Sequence, residues 1–379
     1  MLVCRRAGQI CMAVAITLLS APLHAQPVRS QPVTTPPPSQ TRPATTTDLG
    51  DTGLWFVPTG EVLPARDWSL GAYEVNVDYE QGFTDVSNWA VTFAAGLRGR
   101  MEVFGAWSLV TRIDRDVRPL FFPTAAGSSI DAGGVVNEYP FVSRGWSGNR
   151  LGDLRIGAKI KLVSQHHGSP AALALRGLIK TPTASDSHGA GTGKPDLAFD
   201  AVVSTEVNQR FELAGFGGFI ARGDPDAFDL TNGIRWGAGV AMPTRKPLRL
   251  TAELHGEKYV DDEVAVRGSP AGVAALVAAS SRQKSPIYAS LGLTWMGSSG
   301  MFAGAGINWN LNMRRRSDLG AFGDRTGDPS GLQVRVGFHR GVRVRVTPPP
   351  PTVGEPSTTA GSPEPPVCGK LPVVVRFQR

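Results

Sequence analysis

The sequence has little cysteine, no basic cluster, and, beyond its start, no apolar stretch long enough to cross a membrane as a helix. Three cysteines occur in 379 residues. Two of them, Cys4 and Cys11, lie in Met1–Ala25, which has the form of a secretory signal: Arg5 and Arg6, a largely apolar Ile10–Leu19, and a small residue, Ala25, at the cut. Gly8-Gln9-Ile10 before Cys11 does not make a lipoprotein signal. Cleavage leaves Cys368 alone, which excludes a disulfide framework. The missing apolar run excludes a helical span but not β-spans, which are short and only half apolar. A net charge of +7 without clustering excludes a nucleic-acid footprint. No Gly-x-Ser-x-Gly elbow occurs, so nucleophilic hydrolysis has no local signature. Gly189–Lys194, GAGTGK, has the wrong spacing for a phosphate loop, and Pro195 stands where the hydroxyl should be.

What the sequence has is period two. In Pro247–Glu257, Leu248, Leu250, Ala252 and Leu254 fall on one parity and Arg249, Thr251, Glu253, His255 and Glu257 on the other. A strand sends alternate side chains to opposite faces, so this segment has one apolar and one charged face. The pattern recurs at Trp68–Glu80, Asn88–Leu97, Met101–Thr111, Asp153–Val163, Ala171–Thr181 and Asp196–Val207. It continues at Phe211–Arg222, Gly233–Met242, Pro286–Met296, Gly300–Asn312 and Gly331–His339. About twelve strands of about ten residues have the length a tilted membrane strand needs. Short connections (Arg98–Arg100, Ser164–Pro170, Asn208–Arg210, Pro243–Lys246, Gly297–Ser299) alternate with long ones. A soluble sandwich has no reason to alternate loop lengths. The expected fold is all-β: a transmembrane, up-and-down antiparallel barrel of about 12 strands, with tight periplasmic turns, long outer loops and both termini periplasmic. Trp295 is expected near the periplasmic interface, and Trp236 and Trp309 near the outer one.

Four regions follow: a signal peptide over 1–25, a Pro/Thr-rich disordered linker over 26–51, the barrel over 52–346, and a Pro-rich periplasmic tail over 347–379. The stretch TGLWFVPTGEVLPARDWSLG, Thr52–Gly71, resembles the opening of many Gram-negative outer-membrane barrel proteins. Pro348–Pro351, the Pro/Ser/Thr-rich Thr352–Pro366 and the strand-like LPVVVRF near the end resemble the tether of outer-membrane proteins of the OmpA family. That resemblance implies a peptidoglycan contact only if a longer chain exists.

The polar parity supplies the candidate site, a set of lumen-lining side chains. Its acids are Glu74, Asp78, Glu102, Asp196, Asp200, Glu206, Glu212 and Glu253. Its bases are Arg155, Lys159, Lys161, Arg176, Lys180, Arg235, Arg249 and Arg335. The signs nearly balance, which argues against strong ion selectivity, and they segregate by strand. Such charges either line a pore or pair off inside a filled barrel, and about twelve strands leave both open. The 41-residue connection Arg112–Gly152 is the candidate plug or lid.

Other chemistry is thinly supported. The adjacent His166 and His167 lack a neighbouring ligand, His188 lies in a loop, and Asp261-Asp262-Glu263 reads as a solvated acidic run. No cofactor or metal is expected. The functional expectation is a narrow porin-like channel of the outer membrane for small hydrophilic solutes. Its alternatives are an OmpA-like structural anchor with little conductance, or a barrel-embedded hydrolase. Expected partners are outer-membrane lipid, lipopolysaccharide and such solutes, and no nucleic acid.

Overall fold

The computed structural model describes residues 40–81, 84–115, 135–141, 149–186, 189–266, 280–282, 284–313 and 329–344. The signal, most of the linker, the tail with Cys368, His188 and much of Arg112–Gly152 lie outside the described residues.

Twelve long strands form one closed antiparallel barrel: β1 (Trp68–Tyr79), β2 (Thr84–Leu97), β3 (Met101–Arg115), β4 (Leu154–Val163), β5 (Ala172–Thr181), β6 (Asp196–Val207), β7 (Phe211–Ala221), β8 (Gly233–Met242), β9 (Leu248–Tyr259), β10 (Ile287–Met296), β11 (Met301–Asn310) and β12 (Ser330–His339). Each pairs with its neighbours in sequence, and β12 closes on β1 from Gln333↔Val75 to His339↔Ser69. Period-two reading therefore located every wall strand. Two tight turns have central residues with positive φ, Arg98-Gly99 at 51° and 69° and Asn208-Gln209 at 51° and 56°. That conformation matches the twist of the strands it joins.

Alternation gives the wall its two surfaces. On β9, Leu248 (52%), Leu250 (49%) and Leu254 (40%) are exposed, while Arg249 and Glu253 are buried. Around the barrel the exposed parity is Leu, Ile, Val, Phe and Trp, an apolar belt suited to lipid. Trp68 and Trp295 are exposed on this belt near the turn end, Trp107 lies near the middle of its strand, and Trp89 lies closer to the long-loop end.

β1 departs from the expected facing. Its outward residues at the turn end are Trp68, Leu70 and Ala72, so Tyr73, Val75, Val77 and Tyr79 point inward. Glu74 lies on the outward parity, where its carboxylate accepts from Ser87 Oγ at 2.9 Å. By strand position Glu74 does not line the lumen; Asp78 shares its parity but is buried at the long-loop end of the strand. The apolar parity turns inward because the lumen offers it partners: Tyr73 Oη donates to the Thr46 carbonyl at 2.5 Å.

The second departure lies before β1. Residues 40–51 are ordered rather than a disordered linker, while the first wall strand begins at Trp68 as its period-two pattern indicates. Gln40–Arg42 pairs with Val342–Val344, so the first and last described segments meet at the turn end. From Arg42 to Leu63 the chain then runs through the lumen, with Leu54, Trp55, Val57 and Leu63 fully buried. Composition suggested disorder because so few apolar groups are available. Its hydroxyls and peptides are instead satisfied within the barrel: Thr45 Oγ1 donates to the Gly53 carbonyl (2.8 Å) and Thr47 Oγ1 to Asp51 (2.6 Å).

Candidate functional site: a lumen closed by the chain's own N-terminal segment

Wall charges hold the inserted segment at three levels. At the turn end, Arg42 forms a two-bond pair with Glu212, which also takes Arg249. Glu61 accepts from Ser164 Oγ (2.8 Å), the Gln165 amide (3.0 Å) and Lys161 Nζ (3.1 Å). Ser164 and Gln165 belong to the β4–β5 turn, so the segment is tied to a connection as well as to strands.

In the middle of the lumen, Asp51 lies 3.3 Å from both Lys159 Nζ and Arg176 Nη1. Burial alone would raise its carboxyl, but those two cations outweigh it and hold Asp51 below the ordinary carboxylate range. Glu102 accepts from the Thr52 amide (2.7 Å), the Thr52 hydroxyl (2.5 Å) and the Leu63 amide (2.8 Å). One wall carboxylate thus joins two points of the segment eleven positions apart in sequence.

The far wall makes a third grip. Glu253 accepts from three successive amides, Trp55 (2.8 Å), Phe56 (2.9 Å) and Val57 (2.8 Å). Arg335 donates to the Leu54 carbonyl at 2.6 Å, and its guanidinium lies 3.9 Å over the Trp55 ring. Charge-assisted hydrogen bonds of this kind are about twice as strong as neutral ones. Each buried charge in these grips thus meets either an opposite charge or peptide groups of the segment, as its desolvation demands.

Above the segment, toward the long loops, a cavity of about 300 Å³ remains. Phe56, Tyr73, Tyr79, Tyr139, Phe216 and Tyr288 line it with Arg155, Arg235 and Asp48. His255 stacks against Phe56 (4.4 Å between centroids) and Tyr288 (5.5 Å). Asp48 belongs to the inserted segment and not to a membrane-spanning strand. Burial pushes its carboxyl up to about 7, against the opposing pull of Arg155. Residues 135–139 of the long β3–β4 connection cover part of this end, with Val136 and Tyr139 packed on Val86 and Ile113. Arg222 ties that cover down through Glu138 (2.7 Å) and Glu257 (2.5 Å).

The structure places Glu102, Arg155, Lys159, Lys161, Arg176 and Lys180 on the inward parity. Asp196, Asp200, Glu206, Glu212, Arg235, Arg249, Glu253 and Arg335 lie there too. Several converge on the inserted segment, while Lys180 pairs along the wall with Asp196 at 2.6 Å. Arg176 does both, with Asp200 at 2.8 Å as its wall partner. His166 meets the Val344 carbonyl at 2.9 Å, a contact that helps join the β4–β5 turn to the last described strand. Sequence reasoning missed Asp48, Asp51, Glu61 and Trp55. The available signal was a run of Thr, Asp and Gly flanking LWFV before the first period-two strand, a segment with no face of its own.

The family model described as "Putative MetA-pathway of phenol degradation" matches residues 124–325. Among solved structures, the COG4313 outer membrane channel from Pseudomonas putida F1 aligns with a TM-score of 0.50 at 11% identity, covering 73% of this chain and 97% of that one. The KdgM porin aligns with a TM-score of 0.38 at 6% identity, covering 71% of this chain and 98% of its own. The NanC porin gives a TM-score of 0.38 at 7% identity, with 71% and 98% covered. No curated protein sequence matches. The first likeness bears on fold, and it is that of an outer-membrane barrel.

Proposed function

The chain belongs to the family described as "Putative MetA-pathway of phenol degradation", and from that premise we propose that it is an outer-membrane channel for small polar solutes, held closed by residues 42–63. The tight turns and both described ends face the periplasm in this reading, and the long loops face outward. One observation carries it: the lumen is lined with charge, and what fills it is a separate segment that these charges grip through hydrogen bonds and ion pairs, alongside the apolar packing of Leu54, Val57 and Leu63 on the wall. A barrel built only as an anchor gains more from apolar filling, because buried ion pairs are seldom more stable than the apolar residues that could replace them. The aromatic cavity is where a solute would first be held, and the family description is in keeping with a solute that carries a ring.

The filled lumen also favours a second reading, an anchoring barrel that conducts little. Planar-bilayer recording separates the two. A channel shows discrete openings that become more frequent when the segment's grips are weakened. Silence both in the full chain and in variants with weakened grips overturns the channel reading.

A further inference from the structure

The partners of each inward charge differ between a lumen that holds the segment and one that does not. Arg176, Lys180 and Arg249 keep the wall carboxylates Asp200, Asp196 and Glu212 when the segment leaves. Lys159 keeps Glu102 at 3.5 Å but loses Asp51. Lys161 loses Glu61, its one ion-pair partner among the described residues. Arg335 loses the Leu54 and Thr46 carbonyls and the Trp55 ring, and among the described residues no carboxylate lies within ion-pairing distance of it.

Two further cations are already short of partners. Arg155 faces the cavity with no ion pair among the described residues. Arg235 reaches only to 3.9 Å from Asp200, a carboxylate that Arg176 already holds. Against these cations, two wall acids lose all their hydrogen bonds among the described residues when the segment leaves, Glu253 and Glu102, and Glu102 keeps Lys159; Glu212 loses Arg42 and keeps Arg249. The outward facing of Glu74 removes one acid that would have balanced the lumen. β4 and β5 carry no inward acid at all, so Arg155, Lys159, Lys161, Arg176 and Lys180 form a basic face from the cavity to the turn end.

We propose that the inserted segment's carboxylates, Asp51 and Glu61, stand in for the solute, and that the channel takes small organic carboxylates with an apolar or aromatic body. The basic face of β4 and β5 recognises the carboxylate, as it now recognises Asp51 and Glu61. The aromatic cavity beside Arg155 and Arg235 receives the body, and the two arginines hold the charge at entry. This inference rests on the channel reading given above.

The test is planar-bilayer recording of the full chain and of a Gly292→Val variant, whose added side chain overlaps the seat of Trp55. Heat-dependent gel mobility verifies that each variant is folded. In a steep KCl gradient the reversal potential lies on the chloride side, and Arg155→Gln with Lys161→Gln moves it toward zero. Benzoate on the long-loop side raises the opening frequency of the full chain several-fold, and benzylammonium does not. A reversal potential on the potassium side or at zero, or an equal response to the two aromatic ions, overturns this inference and leaves the channel reading standing. Silence in every folded variant overturns both.

Discussion

Arg335 of β12 faces Trp55 of the inserted segment, guanidinium to indole, at 3.9 Å. A wall cation is thereby used as packing surface as well as hydrogen-bond donor, since the same side chain donates to the Leu54 carbonyl at 2.6 Å. Cation–π contacts strengthen as they are desolvated, and both partners here are fully buried. Trp55→Ala removes the indole and leaves a cavity in the seat. Loss of a buried Trp side chain costs about 3–5 kcal/mol, here charged against the closed state. The expected outcome is a rise in opening frequency of more than a hundredfold in planar-bilayer recordings, limited by how far the segment readjusts, with mobility on unheated gels unchanged.

Glu253→Gln tests the opposite wall. The sequence alone places this residue in the lumen lining; the structure gives it three segment amides to hold. Glutamine keeps the shape but offers one acceptor oxygen and adds a donor facing peptide N–H groups. Hydrogen bonds to a charged group contribute about 1.5–3 kcal/mol each in a buried site, so the loss weakens closure by about that amount or more. Opening frequency should rise at least about tenfold. An unchanged frequency with a shifted reversal potential would return Glu253 to its simpler role.

Closure should respond to pH through Asp48. Its carboxyl sits at about 7 in the seated segment and returns toward the ordinary value near 4 once released. The seated state therefore binds the proton more tightly. Its added stability is full below the released value and is lost as pH rises through about 7. Asp51, held below its ordinary range, opposes this only in stronger acid. Recordings from about pH 5 to about pH 8 should show openings becoming more frequent, and Asp48→Asn should flatten that dependence.

The outer surface tests the barrel itself. Leu250→Arg places a charge on the lipid face of β9, at a cost of about 2–4 kcal/mol near the bilayer midplane. Less protein should reach the heat-modifiable form on gels. A variant that assembled as well as the parent would contradict the facing assigned to Leu248, Leu250 and Leu254.

How far the sequence was legible follows from which residues repeat. Leu250 and Glu253 could be assigned to opposite faces because wall strands must alternate between lipid and lumen, and twelve of them repeat the rule. Glu74 escaped it because β1 carries apolar residues on both parities, and Tyr73 finds Thr46 and Trp55 of the inserted segment inside the lumen. Residues 42–63 escaped it altogether. A segment enclosed on all sides has no single apolar face, so Trp55 and Asp51 lie close together with no period to reveal it. The fold was therefore readable from the wall, while the closure depended on long-range pairs such as Glu253 with Trp55, 198 positions apart.

Gly292 offers the sharpest separation of wall from closure. It sits on the inward parity of β10, where a Cβ would lie 2.6 Å from Trp55 Cε2 and 3.0 Å from Thr251 Oγ1. The absence of a side chain is what lets the Nε1–Cε2 edge of the indole come this close to the strand. Valine is favoured in strands and leaves the lipid-facing neighbours Leu291 and Leu293 untouched, so the β9–β10 and β10–β11 ladders have no reason to fail. The inserted segment does have one, because its largest side chain loses its seat and Arg335 loses the ring beneath it. Gly292→Val should therefore assemble with parental gel mobility, stay open in bilayers for most of the record, and expose residues 42–63 to added protease. If it assembled and stayed closed, with the segment still protected, Trp55 would not be the residue that seats the closure.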